Sequence, residues 1–328
     1  MKQKKQAKDL LFPGIILILV AVMLYSGLRI LEATVLPTGG EEQQAETHKT
    51  ITHGGIDYFP RQDITTILIL GIDRYGKVED SGAYNNRGAA DMDVLAVIDH
   101  TAGAIDLLYL NRDTMVEMPV LGLGGRRAGT YFGQLALAHT YGTGLHDSCE
   151  NVVTTVSDLL GGIRIDYYAA MNMDAIAILN DGVGGVTVNV TEDFSSVDPS
   201  ITRGTLTLRG NQAVNYVRTR KDVGDQLNLS RIQRQKGYID SFVKAFRARY
   251  EADPEIIVSL YEDVYPYLVT NCSMNALRGM IDRCSDFEIR EVVSPEGENV
   301  LGEKYFEFYA DEEALTTLTL RLFFAPKA

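Results

Sequence analysis

Residues 64–111 read ITTILILGIDRYGKVEDSGAYNNRGAADMDVLAVIDHTAGAIDLLYLN, and this stretch decides the fold. Ile64–Ile72 is a short β-branched apolar run with a glycine next to its end, the pattern of a buried strand. Asp91–Asp99 and Ala104–Asn111 predict two further strands, and Thr101-Ala102-Gly103 brings them close enough for a hairpin. Between the first strand and this hairpin, residues 77–90 are rich in Gly, Asn and charge and read as a surface loop.

Downstream, helices and strands alternate. Val152, Val153, Val156, Leu159 and Leu160 recur at helical spacing over Cys149–Leu160, and Gly161-Gly162 stops that helix. Asp166–Asn172 reads as a strand, Asp174–Leu179 as a short helix closed by DGVGG, and Val186–Val190 as another strand. A long helix is expected over Asn228–Arg249, with Ile232, Ile239, Phe242, Val243 and Phe246 on its apolar face. A strand near Phe287–Val293 and a helix from Asp311 close the chain. Interleaved elements of this kind give an α/β or α+β class with a central mixed sheet.

Upstream, LLFPGIILILVAVMLYSGL (10–28) has no charge and follows Lys2, Lys4, Lys5 and Lys8. About 20 apolar residues span a bilayer core, and the preceding lysines favour an N-in orientation. No small-residue cleavage pattern follows, so an uncleaved anchor is expected rather than a signal peptide. The expected organisation is a cytoplasmic basic tail (1–9), an anchor (10–31), a stalk (32–60), a catalytic domain (61–250) and a C-terminal extension packed on it (251–328).

The chain has 328 residues and a net charge of −13. The first 31 residues hold five basic groups against Asp9, a net of +4, which leaves −17 for the rest. A domain so acidic has no diffuse basic field for nucleic acid, so a local arginine cluster carries more information here. Cys149, Cys272 and Cys284 show no metal-ligand spacing; in an extracytoplasmic domain Cys272 and Cys284 are free to pair.

Four constellations carry chemistry. Asp73 follows the first strand, where a carboxylate faces a ligand crevice or caps a turn. Asp91 and Asp93 share one strand face, and two such carboxylates repel unless a proton or cation lies between them. Arg112 and Asp113 in NRDT form either an exposed ion pair or a phosphate-binding guanidinium held by its neighbour. Finally, Arg218, Arg220, Arg231 and Arg234 fall within 17 residues, with Asp225 among them and Gln235 next to the last. Arg231, Arg234 and Tyr238 are expected on a helix face apart from the apolar one, where arginines and a helix N-terminus together attract an anion. Carboxylates on a metal and arginines on a pyrophosphate describe phosphoryl transfer. There is no Walker A loop, kinase motif set, G-x-S-x-G elbow or His-paired nucleophile. His139, alone in LALAHTYG, reads as a satisfied structural residue more readily than as a base.

In order, ILGIDR, AD, NRDT, QLALAHTYG, CENVVTTVSDLLGGIRIDYY, LNDGVGGVTVNV, VRTR, GD and SRIQRQ resemble the LytR-CpsA-Psr family of wall-polymer ligases over about Ile64–Val243. The resemblance implies a three-layer α/β/α domain with a polyprenyl groove, behind one transmembrane helix. It implies transfer of an undecaprenyl-pyrophosphate-linked glycopolymer to the muramic acid 6-hydroxyl of peptidoglycan, with release of a polyprenyl phosphate. By position, Asp73 and Asp91 match magnesium-associated carboxylates, with manganese an alternative ion. Arg112, Arg218, Arg220, Arg231 and Arg234 match pyrophosphate-binding arginines, with Gln235 beside them. Asp225 matches an acidic residue that orients an arginine or accepts the hydroxyl proton. Here Ala89 stands where the family has an arginine before the aspartate, with Arg87 two residues earlier, and Asn111 stands where it has a proline. Asp93 has no clear counterpart. Two other readings remain open: a non-catalytic receptor for polyprenyl lipid or wall glycan, and a pyrophosphatase with water as acceptor. A DNA-binding regulator is disfavoured by the acidic domain and the lack of a basic helix-turn-helix.

Overall fold

The computed structural model describes residues 50–327 apart from 220–222, 224–227, 254–255, 274–275, 277–278, 281–282 and 285–286. They fall into two compact units. A sheet unit comprises the described residues of Leu28–Met171, Val269–Cys272 and Ile289–Ala328. A helical unit comprises those of Asn172–Leu268 and Ser273–Glu288.

The strands, in chain order, are β1 (Ile51–His53), β2 (Ile56–Pro60), β3 (Ile64–Ile72), β4 (Ala90–Asp99), β5 (Ala104–Leu110), β6 (Met115–Leu121), β7 (Arg127–Gln134), β8 (Tyr167–Asn172), β9 (Val186–Val190), β10 (Gly204–Leu208), β11 (Leu268–Thr270), β12 (Glu288–Val293), β13 (Gly297–Leu301), β14 (Phe306–Ala310) and β15 (Phe324–Pro326). The helices are α1 (His146–Leu159), α2 (Asp174–Gly182), α3 (Asn211–Arg218), α4 (Asn228–Ala252), α5 (Ile256–Val264) and α6 (Glu312–Phe323).

The central sheet runs β11-β8-β3-β4-β5-β12. Strands β3, β4 and β5 are successive antiparallel neighbours, with Leu68 opposite Leu95 and Leu95 opposite Leu108. Directly opposed residues share a face, so Leu68, Leu70, Leu95, Val97, Leu108 and Leu110 form one apolar layer. Against it pack Val152 and Val156 of α1, Leu135 and Ala138 of a 3-10 helix (Leu135–Tyr141), and Leu315 and Leu320 of α6. A bulge between Gly71 and Ile72 interrupts the β3–β4 register at the end where Asp73 and Asp91 lie; bulges re-aim side chains at such edges.

The expected strands and helices stand within a few residues of their sequence boundaries, and the class is mixed α/β with a central mixed sheet. Among the described residues no helix is long and apolar enough to cross a membrane. The expected tail (1–9) and anchor (10–31), with the stalk up to residue 49, lie outside the described residues.

The final stretch, read from sequence as an extension over 251–328, is divided between the units. Strand β12 forms one edge of the central sheet beside β5, and β15 pairs with β2. An ion network ties that edge: Arg290 meets Asp106 and Asp99, and Asp99 also meets Arg61 at 2.9 Å. No disulfide joins the described cysteines, so the Cys272–Cys284 pairing is not formed.

In the helical unit, β9 and β10 make an antiparallel hairpin in which the Thr187 and Thr207 hydroxyls meet at 2.9 Å. The polar stretch before Gly210 therefore holds a strand that its sequence conceals. Asn180 is fully buried; its amide donates to the Leu208 carbonyl at 2.9 Å, and its oxygen accepts from the Val186 amide and the Tyr238 hydroxyl. The conspicuous LNDGVGG segment is thus a structural joint. Gly184 and Gly185 both have φ near +90°, a region that suits glycine.

Candidate functional site

The sheet unit gathers its charged candidates where β3 ends, β4 begins and β5 ends. Asp73 follows β3, and its amide donates to the Ala89 carbonyl at 2.9 Å, which puts it beside the start of β4. Asp91 pairs with Arg112, Oδ1 to Nη1, at 2.5 Å. Both side chains stay partly exposed, at 21% and 30%. Asp113 follows at 3.6 Å from the Arg112 Nε.

The NRDT turn holds Arg112 in place. Asn111 accepts the Asp113 amide through its side chain and both the amide and hydroxyl of Thr114 through its carbonyl. This is an Asx-type turn, in which the asparagine side chain closes the loop on the backbone that follows it. The Arg112 carbonyl accepts from the Ala136 amide at 3.0 Å. Gln134 donates to Asp113 at 2.9 Å and to the Phe306 carbonyl at 2.8 Å, while the Phe308 amide donates to the Asp113 carbonyl. Strand β14 therefore buttresses the arginine turn. Sequence reasoning missed this because 172 residues separate Gln134 from Phe306 and no motif marks them.

Asp93 is only 1% exposed and lies opposite Leu70 and Leu110. Among the described residues neither of its carboxylate oxygens has a hydrogen-bond partner. Burial and then the Asp91 charge push its pKa well above the ordinary carboxylate range, against the pull of Arg112.

His139 is 2% exposed, and its Nδ1 lies 2.7 Å from the Gly88 carbonyl, to which it donates. Burial lowers its pKa to about 4. Asn86 holds the same loop by donating to the His139 and Gly142 carbonyls. His139 is a structural residue that pins the 77–90 loop. Arg87, two residues before Ala89, is exposed.

In the helical unit, Arg218 is exposed at the last turn of α3. Arg234 is placed otherwise. Its side chain is 3% exposed and donates to Glu192 and to the carbonyls of Tyr216 and Thr219. The guanidinium also lies 5.2 Å from the Phe194 ring centroid and 5.8 Å from that of Tyr216. Gln235 donates to the Val217 carbonyl at 3.0 Å. The final carbonyls of a helix have no partner within it; Arg234 and Gln235 supply partners for those of α3. The face of α4 that carries Arg234 and Tyr238, expected to stand apart from the apolar face, continues into it: Arg234, Tyr238, Phe242 and Phe246, four residues apart, are all buried. Arg220 and Asp225 lie outside the described residues, as does the side chain of Arg231.

Among the described residues no three or more His, Cys, Asp or Glu side chains are grouped to hold a metal. Magnesium needs no such group, being held through one or two carboxylates plus substrate phosphates. Asp73 and Asp91 offer oxygen donors only, a set that suits a hard cation.

A model of the LytR_cpsA_psr family matches residues 34–320. The chain is 26% identical to the polyisoprenyl-teichoic acid–peptidoglycan teichoic acid transferase TagU of Bacillus subtilis, over 80% of this chain and 78% of that one. It is 26% identical to the corresponding transferase TagT of the same organism, over 67% and 62%. Among solved structures it resembles TagT bound to LI-WTA, with a TM-score of 0.57 at 22% identity over 80% and 90% of the two chains. It also resembles protein gbs0355 of Streptococcus agalactiae, with a TM-score of 0.63 at 22% identity over 79% and 86%. At these identities the structural likenesses establish the fold.

Proposed function

This chain belongs to the LytR_cpsA_psr family, and from that premise we propose that it transfers a polyprenyl-pyrophosphate-linked glycopolymer to peptidoglycan. The observation that carries the reading is the Arg112–Asp91 pair, held by a turn beside Asp73 at one end of the central sheet. Its relatives' names, teichoic acid transferases acting on peptidoglycan, supply the substrate class. The proposed lipid is undecaprenyl pyrophosphate, and the proposed acceptor is the muramic acid 6-hydroxyl. Residues 10–31 are proposed to anchor the chain so that its folded part lies outside the membrane.

In the proposed reaction the acceptor oxygen forms a bond to the phosphorus nearer the glycan. The bond from that phosphorus to the bridging oxygen breaks, and the polyprenyl phosphate leaves with the electron pair. Arg112, Arg218, Arg220 and Arg231 are assigned to the pyrophosphate oxygens, where fixed positive charge stabilises the leaving group. Arg234 and Gln235 act on that assignment by holding the end of α3, and so Arg218. Asp225 is assigned to accept the hydroxyl proton or to orient an arginine. Asp73 and Asp91 would hold magnesium or manganese, which when bound supplies charge neutralisation at the phosphates.

The test supplies the full chain with a short polyprenyl-pyrophosphate glycan and peptidoglycan fragments, with and without magnesium. A glycan–muropeptide phosphodiester formed only with the metal supports the proposal. Free glycan phosphate as sole product makes the chain a pyrophosphatase, and lipid binding without turnover makes it a receptor; either result overturns ligase activity.

A further inference from the structure

The polar stretch after β9 carries no motif, yet it fastens the end of α3. Glu192 and Phe194 stand in this stretch, and both meet the Arg234 guanidinium. The Glu192 carboxylate accepts from Nη1, and the Phe194 ring centroid lies 5.2 Å from the guanidinium carbon. Phe194 is fully buried and stacks on Tyr216 of α3, with 5.5 Å between centroids. Four residues on, Asp198 accepts from the Asn215 side chain at 3.0 Å, and its amide donates to the Phe194 carbonyl at 2.8 Å. One short segment therefore holds α3 directly at Asn215 and, through Arg234, at its last turn.

A guanidinium is a rigid plane whose donors point at fixed angles. Once Nη1 is set on Glu192 and the plane is seated against Phe194, the directions of Nε and Nη2 are set as well. Those two groups donate to the carbonyls of Tyr216 and Thr219. The two carbonyls bracket Arg218 in the chain, and Gln235 takes the Val217 carbonyl between them. The backbone on both sides of Arg218 is thus held by a side chain whose own orientation depends on one carboxylate. Glu192 also compensates a positive charge that burial would otherwise penalise. We propose that Glu192 is a positioning residue for pyrophosphate binding: acting through Arg234, it fixes the last turn of α3 and with it the point from which the exposed Arg218 reaches the phosphates. This rests on the assignment of Arg218 made above and adds a residue that itself touches no substrate.

The experiment measures binding of farnesyl pyrophosphate to the full chain in detergent by titration calorimetry, at a temperature where circular dichroism shows each variant folded. Arg218→Ala is expected to weaken binding roughly 10–100-fold, as for loss of a charge-assisted hydrogen bond. Glu192→Ala is expected to weaken it roughly tenfold, the scale of coupling within one hydrogen-bond network. In the double variant Glu192→Ala adds almost nothing, because the group it positions is gone. Glu192→Gln keeps the length and an acceptor oxygen, so it is expected to melt lower than wild type yet bind with nearly wild-type affinity. If Glu192→Ala does not fold, Glu192→Asp, which keeps the charge but draws its oxygens back by one methylene, takes its place with the same expectation. Wild-type affinity in the folded Ala or Asp variant overturns the proposal. An equal loss with and without Arg218 also overturns it, since a merely structural residue behaves so, as does a wild-type chain that binds no pyrophosphate. The expected binding pattern in a chain that transfers no polymer sinks the ligase reaction and leaves the role of Glu192 intact. Polymer transfer that responds to Arg218→Ala but is indifferent to Glu192→Ala does the reverse.

Discussion

The two units treat arginine in opposite ways. In the sheet unit Arg112 is part-exposed and meets a carboxylate, while its turn is held by Asn111, Gln134 and strand β14. In the helical unit Arg234 is almost fully buried and its donors are spent on Glu192 and two helix-end carbonyls, while Arg218 sits exposed on the helix those carbonyls close. Both arginines stand in motifs that suggest phosphate binding. A guanidinium buried against carbonyls of the fold stabilises the fold; one that stays solvent-exposed on a fixed backbone can be reached by a ligand. Clustering in sequence does not distinguish them, because it contains no information about which carbonyls lie nearby.

The sharpest way to break this contrast is to remove each arginine in turn. Arg234→Ala is expected to destabilise the chain by about 3–5 kcal/mol, the cost of breaking a buried pair and orphaning its partners. Denaturant unfolding followed by circular dichroism measures it, and a loss under about 1 kcal/mol, typical of exposed pairs, would return Arg234 to the surface class. Arg218→Ala is expected to leave the melting temperature in place and to lower polymer transfer by about 10²–10³-fold, as for loss of one charge-stabilising donor. A folded, fully active Arg218→Ala protein removes Arg218 from the site.

The third test concerns charge buried in the sheet unit. His139 titrates near 4 in the folded chain against about 6.5 unfolded. The unfolded chain therefore binds its proton first, so stability is full above pH 6.5 and is lost as pH falls towards 4. Over that window the loss is about 3 kcal/mol at about 1.4 kcal/mol per unit. His139→Gln should flatten this part of the pH–stability curve, and an unchanged slope would mean that the imidazole is not sealed. The smallest effect is expected at Asp311, whose carboxylate accepts the Ala314 amide at 2.8 Å and caps α6. Asp311→Ala should cost about 1 kcal/mol, read as a shift in the denaturation midpoint with no change in polymer transfer.

The fold was legible where side-chain periodicity is local and strong. Strands β3 and β9 match their predicted limits, and β4, β5 and β8 do so within one residue. The polar hairpins were not legible: β6–β7 has a mostly exposed second strand, and β10 alternates threonine and leucine within a stretch that reads as loop. The same limit applies to the site. Asp73, Asp91 and Arg112 stood out as candidates because each closes or opens a buried strand, where a polar residue is conspicuous. The supports of Arg112 were not found, since Gln134 and the carbonyl of Phe306 carry no mark of their task.

By itself, then, the amino-acid sequence determined the three-stranded kernel of β3, β4 and β5, the place of Asp91 at the start of β4, and the family. These are consequences of short-range pattern and motif order, and they hold whatever the rest of the chain does. The tertiary structure alone decided that β12 completes the sheet edge, that Arg234 serves α3, that His139 is sealed against Gly88 and that Asp93 is buried with no hydrogen-bond partner among the described residues. The physical reason is the same in each case. Solvent exposure and hydrogen-bond partners set what a charged group does, and both depend on segments distant in sequence that only folding brings together.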